Sequence, residues 1–337
     1  MIQERIKLGP IHHSLPGAMI LSLGMYGDRI REIETEFGFS KRSIVEYMIG
    51  KPHVKALLRF GRIDPENSFL LDRLFCEGIE KITHTSITER TLWIREITTS
   101  ISELNGFLRY LSRMSSRLGI EVLNHVILKH RESLLDLIEL LTGSRYGYYY
   151  VVPGGVRYDL TEGFQERLEK WIKNFTQDFP RIEALFRWTH PIQNRLQSLG
   201  RVVDNGSFGF VSESSVETTR YGLMSNVESR LLYALNQTQI LCDELQTLLP
   251  DRSGGETLSP LGEQRFLEPV QIELETARGP WKLSLSVNSD LTVKSVVTEL
   301  PSDLIITAIG AALENEYFED LPIILDSLNF SIPEIDR

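Results

Sequence analysis

The histidines at positions 12, 13, 53, 84, 125, 130 and 190 are the first side chains to test for metal or acid–base chemistry. No two stand four residues apart, so the helical zinc-binding pattern HExxH is absent. His12 and His13 could furnish two ligands, but neighbours in a strand or turn point apart, which favours ordinary loop residues. The run Tyr146-Gly147-Tyr148-Tyr149-Tyr150 could stack on a planar ligand such as a quinone; packing between a helix end and the next segment is the simpler reading. Gly154-Gly155 completes no GxGxxG fingerprint, and no P-loop occurs, so a tight loop needing positive φ is expected there. There is no G-x-S-x-G elbow, and neither Cys76 nor Cys242 has a recognisable nucleophilic context. Taken alone, these residues define no intact active site.

Composition narrows the class. In 337 residues, 36 Lys and Arg face 46 Asp and Glu, a net charge of −10. That sign repels phosphate backbones and argues against nucleic acid as a partner. Hydrophobic content of 42% with 24% charged residues fits an ordinary globular chain. Two cysteines allow neither a disulfide framework nor a multi-cysteine metal site, which suits a cytosolic location. The segment Met1–Lys7 lacks the apolar core of a signal peptide. The longest apolar run, Leu304–Leu313, is far short of the roughly 20 residues needed to cross a bilayer. Work at a membrane would therefore require docking on another subunit.

Hydrophobic periodicity supplies the elements that must position any site. Ala18–Met25 and Arg29–Glu36 read as strands, joined by a Tyr26-Gly27-Asp28 hairpin turn. Ile97, Ile101, Leu104, Leu108, Leu111 and Leu118 share one helical face, which predicts an amphipathic helix over Thr85–Arg117 with a break near Gly106. Helices are also predicted over Asn124–Leu141, Leu160–Phe186 and Thr219–Leu248, with loops at 204–209 and 250–260. Val270–Glu275 and Trp281–Val287 alternate as strands, and Leu304–Glu316 reads as a last helix before an irregular tail. The expected fold is α+β: a central bundle of long helices flanked by a small antiparallel β unit formed by the N-terminal and C-terminal segments. The expected division is 1–60 for the N-terminal β unit, 61–250 for the bundle, and 264–337 for strands, helix and returning tail.

Short motifs recur in a telling order. They are Gly9-Pro10-Ile11-His12; Arg62-Ile63-Asp64 with Ser68-Phe69; Arg131-Glu132 through Leu137; and Leu141-Thr142-Gly143-Ser144-Arg145. After them come Pro153-Gly154-Gly155-Val156 with Asp159-Leu160 and Glu162-Gly163, then Glu275-Thr276-Ala277-Arg278-Gly279, and a tail from Asp320 to Asp336-Arg337. In this order they resemble the large subunit shared by respiratory complex I and the membrane-bound nickel–iron hydrogenases. The resemblance spans nearly the whole chain and implies a hydrogenase large-subunit-like fold.

The departures carry as much as the matches. In that family the nickel–iron centre is held by two CxxC pairs; the matching positions here are Asp64 and Asn67, and Ser331 and Glu334. Hard oxygen donors cannot replace soft thiolates, so the resemblance implies that no nickel–iron centre is built. The complex I members use the same cavity for a quinone headgroup, through a histidine and a tyrosine whose places are taken here by Pro16 and Pro65. Proline has no side-chain donor and no N–H. A supporting carboxylate falls near Arg117, the arginine before the paired glycines appears as Val152, and a segment after Val203 looks deleted.

The polar residues expected in the old cavity are His12, Arg62, Asp64, Glu66, Asn67, Ser331 and Glu334. They could form a hard-cation or proton-relay site, but a plug salt-bridged through Arg62, Asp64 and Glu334 is favoured. The family likeness implies docking through Tyr148, Tyr149, Gly154 and Gly155 onto an iron–sulfur small subunit. Clusters would lie in partner subunits, with the assembly held on the cytoplasmic face of the inner membrane by a membrane subunit. The chain would then be a structural or coupling subunit. Two alternatives are a quinone- or small-acceptor-reducing subunit with a reshaped pocket using Tyr148, Tyr149 or His12, and a free-standing soluble binding protein.

Overall fold

A computed structural model describes residues 4–187, 196–202, 226–250, 254–263 and 268–337. Strands β1 (Glu4–Leu8), β2 (Ile20–Tyr26) and β3 (Arg29–Glu36) form an antiparallel sheet in the order β1-β2-β3. The expected hairpin joins β2 to β3, closing on Tyr26 opposite Arg29, with Gly27 at φ +60°. Alternation buries Leu21, Leu23 and Met25 on one side. β1 has little apolar content and a mostly exposed burial pattern, so periodicity gave no sign of it. Short helices α1 (Ile44–Met48) and α2 (His53–Phe60) lead into the bundle.

The bundle comprises α3 (Ser68–Thr83), α4 (Glu89–Arg117), α5 (Glu121–Thr142), α6 (Phe164–Arg187) and α7 (Val227–Leu248). α4 spans about 44 Å at 1.5 Å per residue and starts at Glu89 because the Thr88 hydroxyl accepts the Thr91 N–H. It does not break at Gly106. Ile94, Ile97, Ile101, Leu104, Leu108 and Leu111 are all buried along one face, and that packing outweighs the ~1 kcal/mol helix penalty of a glycine. α5 stops at Gly143, whose φ of +71° suits a left-handed cap. Of the helix expected over Thr219–Leu248, residues 219–225 lie outside the described residues, as does the loop at 204–209 and most of the segment expected to be deleted.

The C-terminal segment does not join the N-terminal sheet. It builds its own three-stranded sheet from β6 (Val270–Thr276), β7 (Gly279–Val287) and β8 (Val293–Glu299), so two separate sheets replace the one expected β unit. Only the start of the free edge of β3 is met by a loop: Ile30 N–H donates to Glu316 O at 2.9 Å and Asn315 N–H to Ile30 O at 2.8 Å. α3 lies so close to β7 that a Cβ on Gly78 would touch Leu285. Two short strands, β4 (Val151–Val152) and β5 (Gly155–Val156), make a tight hairpin beside the bundle.

The predicted last helix is divided. α8 (Pro301–Ile305) gives way to a 3-10 turn at Ile306–Ala308 and then α9 (Ile309–Leu313). The tail is not irregular: it forms α10 (Leu321–Ser327) and α11 (Ile332–Ile335), which pack on α4 and α8. Leu321, Ile324, Leu325, Leu328, Phe330 and Ile332 all join the single apolar core to which the sheets and bundle contribute. That burial carries the end of the chain back to the segment around residue 64.

Candidate functional site

Asp64 is the N-cap of a 3-10 turn (Pro65–Asn67), where its carboxylate accepts Glu66 N–H at 3.1 Å and Asn67 Nδ2–H at 2.8 Å. Glu334 sits in α11 with no exposed surface. Its Oε1 accepts Arg278 Nη1–H at 2.7 Å, and its Oε2 accepts the Ser302 hydroxyl at 2.5 Å and Ser302 N–H at 3.2 Å. Ser331 N–H donates to Ser302 Oγ at 2.8 Å. The tail thus meets the 64–67 turn, and Asp64, Asn67, Ser331 and Glu334 gather around Arg278 and Ser302.

The cation in this group is Arg278 and not Arg62. Arg62 points outward, donating to Leu58 O and lying over the Tyr148 ring at 4.8 Å. It follows α2 on the protein's flank, whereas Arg278 comes from the β6–β7 turn, which the C-terminal sheet delivers beside α11. Nothing in the spacing of residues 278 and 334 showed the pairing, although Arg278 stands in the Glu275–Gly279 motif. Glu66 also turns away. It accepts Arg131 Nη2–H at 2.6 Å and Asn105 Nδ2–H at 3.0 Å, with Arg109 at 4.0 Å. His12 stays in its loop, taking Ser14 N–H on Nδ1 at 3.2 Å with its ring centroid 4.4 Å from that of His13.

Electrostatics follows from this enclosure. Burial pushes Glu334 above the usual carboxylate range, and the Asp64 charge adds to that, outweighing Arg278 and Ser302. Burial presses on Asp64 too, but Arg109, Arg278 and hydrogen bonds from Glu334 and Asn67 bring it below its ordinary value. The two neighbouring carboxyls are thus shifted in opposite directions, Glu334 up and Asp64 down. Among the described residues, no three His, Cys, Asp or Glu side chains are arranged to hold a metal ion. The donor set also does not fit a nickel–iron centre: it offers oxygen where thiolate is needed, and Arg278 and Ser302 already engage both Glu334 oxygens.

A second buried ion pair pins the glycine hairpin. Arg95 grips Glu80 through two N–H···O bonds of 2.6 and 3.0 Å and donates to Val152 O and Gly155 O, both at 3.0 Å. Gly154 N–H completes the knot on Glu80 Oε1 at 2.8 Å. The place where the family carries an arginine is Val152 in sequence, yet a guanidinium reaches that carbonyl from α4. Gly154 and Gly155 are buried, and a Cβ on either would strike the carbonyl of Ser259 or Thr257. The chain's own 257–259 segment covers the two glycines, so they are not open for docking as expected. Gly155→Ala should therefore cost about 1–3 kcal/mol in denaturant unfolding; an unchanged midpoint would show that the segment yields freely.

Tyr148 and Tyr149 are half-buried. Tyr149 has φ +59° and lends its N–H to Asp72 Oδ2 at 2.7 Å. Asp72 is enclosed against Gly61, and burial drives it well above the carboxylate range despite Tyr149 N–H and Arg62. Its folded value exceeds its unfolded one, so the stability it contributes is lost as pH rises through the folded value. Asp72→Asn keeps an acceptor for Tyr149 and should flatten that decline in a melting series from pH 4 to 8. An unaltered slope would assign the decline to other groups.

Comparison with known proteins agrees with this architecture. Over its full length the chain superposes with TM-score 0.83 on 99% of a chain from the membrane-bound sulfane sulfur reductase, an archaeal respiratory membrane complex, at 18% identity. That likeness defines the fold. Residues 118–211 match the family described as respiratory-chain NADH dehydrogenase, 49 Kd subunit. A subunit of the F(420)H(2) dehydrogenase of Methanosarcina mazei is 29% identical over 181 residues, 52% of this chain and 48% of that protein. The membrane-bound hydrogenase subunit alpha of Pyrococcus furiosus is 26% identical over 200 residues, 59% and 46% of the two chains. The matches span about half the length of these relatives. Over part of its length the chain is thus similar to large subunits of respiratory complex I and of the membrane-bound hydrogenases.

Proposed function

We propose that this chain is a structural or coupling large subunit of a complex I-like or energy-converting hydrogenase-like membrane-associated redox assembly, with no nickel–iron centre of its own. One observation carries the reading. The four positions corresponding to the family's metal-binding cysteines hold Asp64, Asn67, Ser331 and Glu334, and the two carboxylates are sealed, 1% and 0% exposed, against Arg278 and Ser302. Such a plug fixes the tail to the bundle and leaves no open coordination position. An iron–sulfur small subunit would dock beside it, with Tyr148 and Tyr149 on the contact surface and electrons passing through partner clusters. A membrane subunit would hold the assembly on the cytoplasmic face of the inner membrane; among the described residues no helix is long and apolar enough to cross a bilayer.

Purification of the native assembly tests this. The chain should co-isolate with an iron–sulfur subunit, and elemental analysis should find iron without nickel. Nickel in proportion to this chain would refute the reading. Quinone-dependent turnover lost on Tyr148→Phe would favour a reshaped acceptor pocket, and recovery only as a lone monomer would favour a free-standing binding protein.

A further inference from the structure

Between α4, α7, the β6–β7 turn and the C-terminal segment lies a small cavity of about 30 Å³, walled in part by Phe107, Tyr110, Arg230, Arg278 and Ser327. That volume admits one or two groups the size of water. Tyr110 is 3% exposed, and its hydroxyl has no hydrogen-bond partner. Arg278 Nε is likewise buried without an acceptor, while its Nη atoms serve Glu334 and the Asn329 carbonyl. Arg230 brings a second guanidinium, donating to Ser327 Oγ at 2.7 Å and to Gly200 O.

Of the other polar side chains on the wall, two hydroxyls are engaged, and the Asn329 amide lies beside them. The Ser327 hydroxyl gives its proton to Ile324 O at 2.6 Å, and the Tyr233 hydroxyl donates to Ala277 O at 2.7 Å. A guanidinium nitrogen can only donate, and a phenol has a single proton to give. The Tyr110 hydroxyl and the two guanidinium groups thus bring donors and positive charge to one small space. A single water can accept only two hydrogen bonds, whereas a halide can take all three donors at once.

We propose that this space is a binding site for one small monovalent anion of halide size, held by the Tyr110 hydroxyl, Arg278 Nε–H and the Arg230 guanidinium. Burial holds Arg230 down to about 10, a penalty that a bound negative charge relieves. The site shares Arg278 with the plug and no other side chain, and it would persist whatever the assembly does.

Crystals of the full chain soaked in sodium bromide should show an anomalous bromine peak within hydrogen-bonding reach of Tyr110 Oη. Melting temperature should rise with bromide by more than it does with fluoride at equal ionic strength. Tyr110→Phe removes only the donor and should weaken bromide binding roughly tenfold or more. A wild-type map without bromine there, or a peak at molar bromide with no thermal shift, overturns the proposal. So does an equal bromide response in Tyr110→Phe, and the wild-type map decides even if that variant fails to fold.

Discussion

Arg278→Met should lower unfolding free energy by about 3–5 kcal/mol at neutral pH, because it strands two enclosed carboxyls beside one another. In the native protein Arg278 holds Glu334 at 2.7 Å and also bonds Asn329 O at 3.1 Å, tying α11 to the turn that precedes it. Without the guanidinium both carboxyls would titrate above their unfolded values. Their folded state would then bind more protons than the unfolded one, so the deficit should shrink as pH falls from 7 toward 5. Denaturant titrations at the two pH values check this. A deficit that stays constant, or grows in acid, would mean that Arg278 acts by packing over Trp281 and not by charge.

Arg95→Met should be almost as damaging, at about 3–5 kcal/mol, because Glu80 would remain buried without its cation. The informative partner is Glu80→Gln, which keeps an acceptor for Gly154 N–H while removing the charge. The double variant should recover about 1–3 kcal/mol relative to the sum of the singles. Simple additivity would show that the loss comes from the Val152 and Gly155 carbonyls, which lose their donor in either background. Both experiments separate the worth of an ion pair from the cost of orphaning half of it.

The long helices were legible because each presents a continuous apolar stripe, and Ile97, Ile101, Leu104, Leu108 and Leu111 are buried as that stripe requires. The β2–β3 hairpin was legible for the matching reason in period two. β8 was not, since its pattern slips phase between Lys294 and Val296 and a bulge at Ser286 and Val287 shifts its register. The tail read as irregular because α10 and α11 are too short to show a period; tertiary burial makes them helical. At the site, sequence named the residues that lost their chemistry but chose the wrong arginine. Arg62 is two residues from Asp64, whereas Arg278 is 56 residues from Glu334, and only the packing of a whole sheet brings it there. Arg131 and Asn105, which hold Glu66, carried no signal beyond a motif and a buried amide.

The loop meeting the start of β3 has a consequence for biogenesis. Gly38 and Ser40 N–H both donate to Asp336, and Arg29 to Asn315 O, across separations of 298, 296 and 286 residues. Contacts of such high order form slowly, after most loop-closure entropy has been spent. Until those contacts form, the start of β3 has an uncovered margin, a template for another strand.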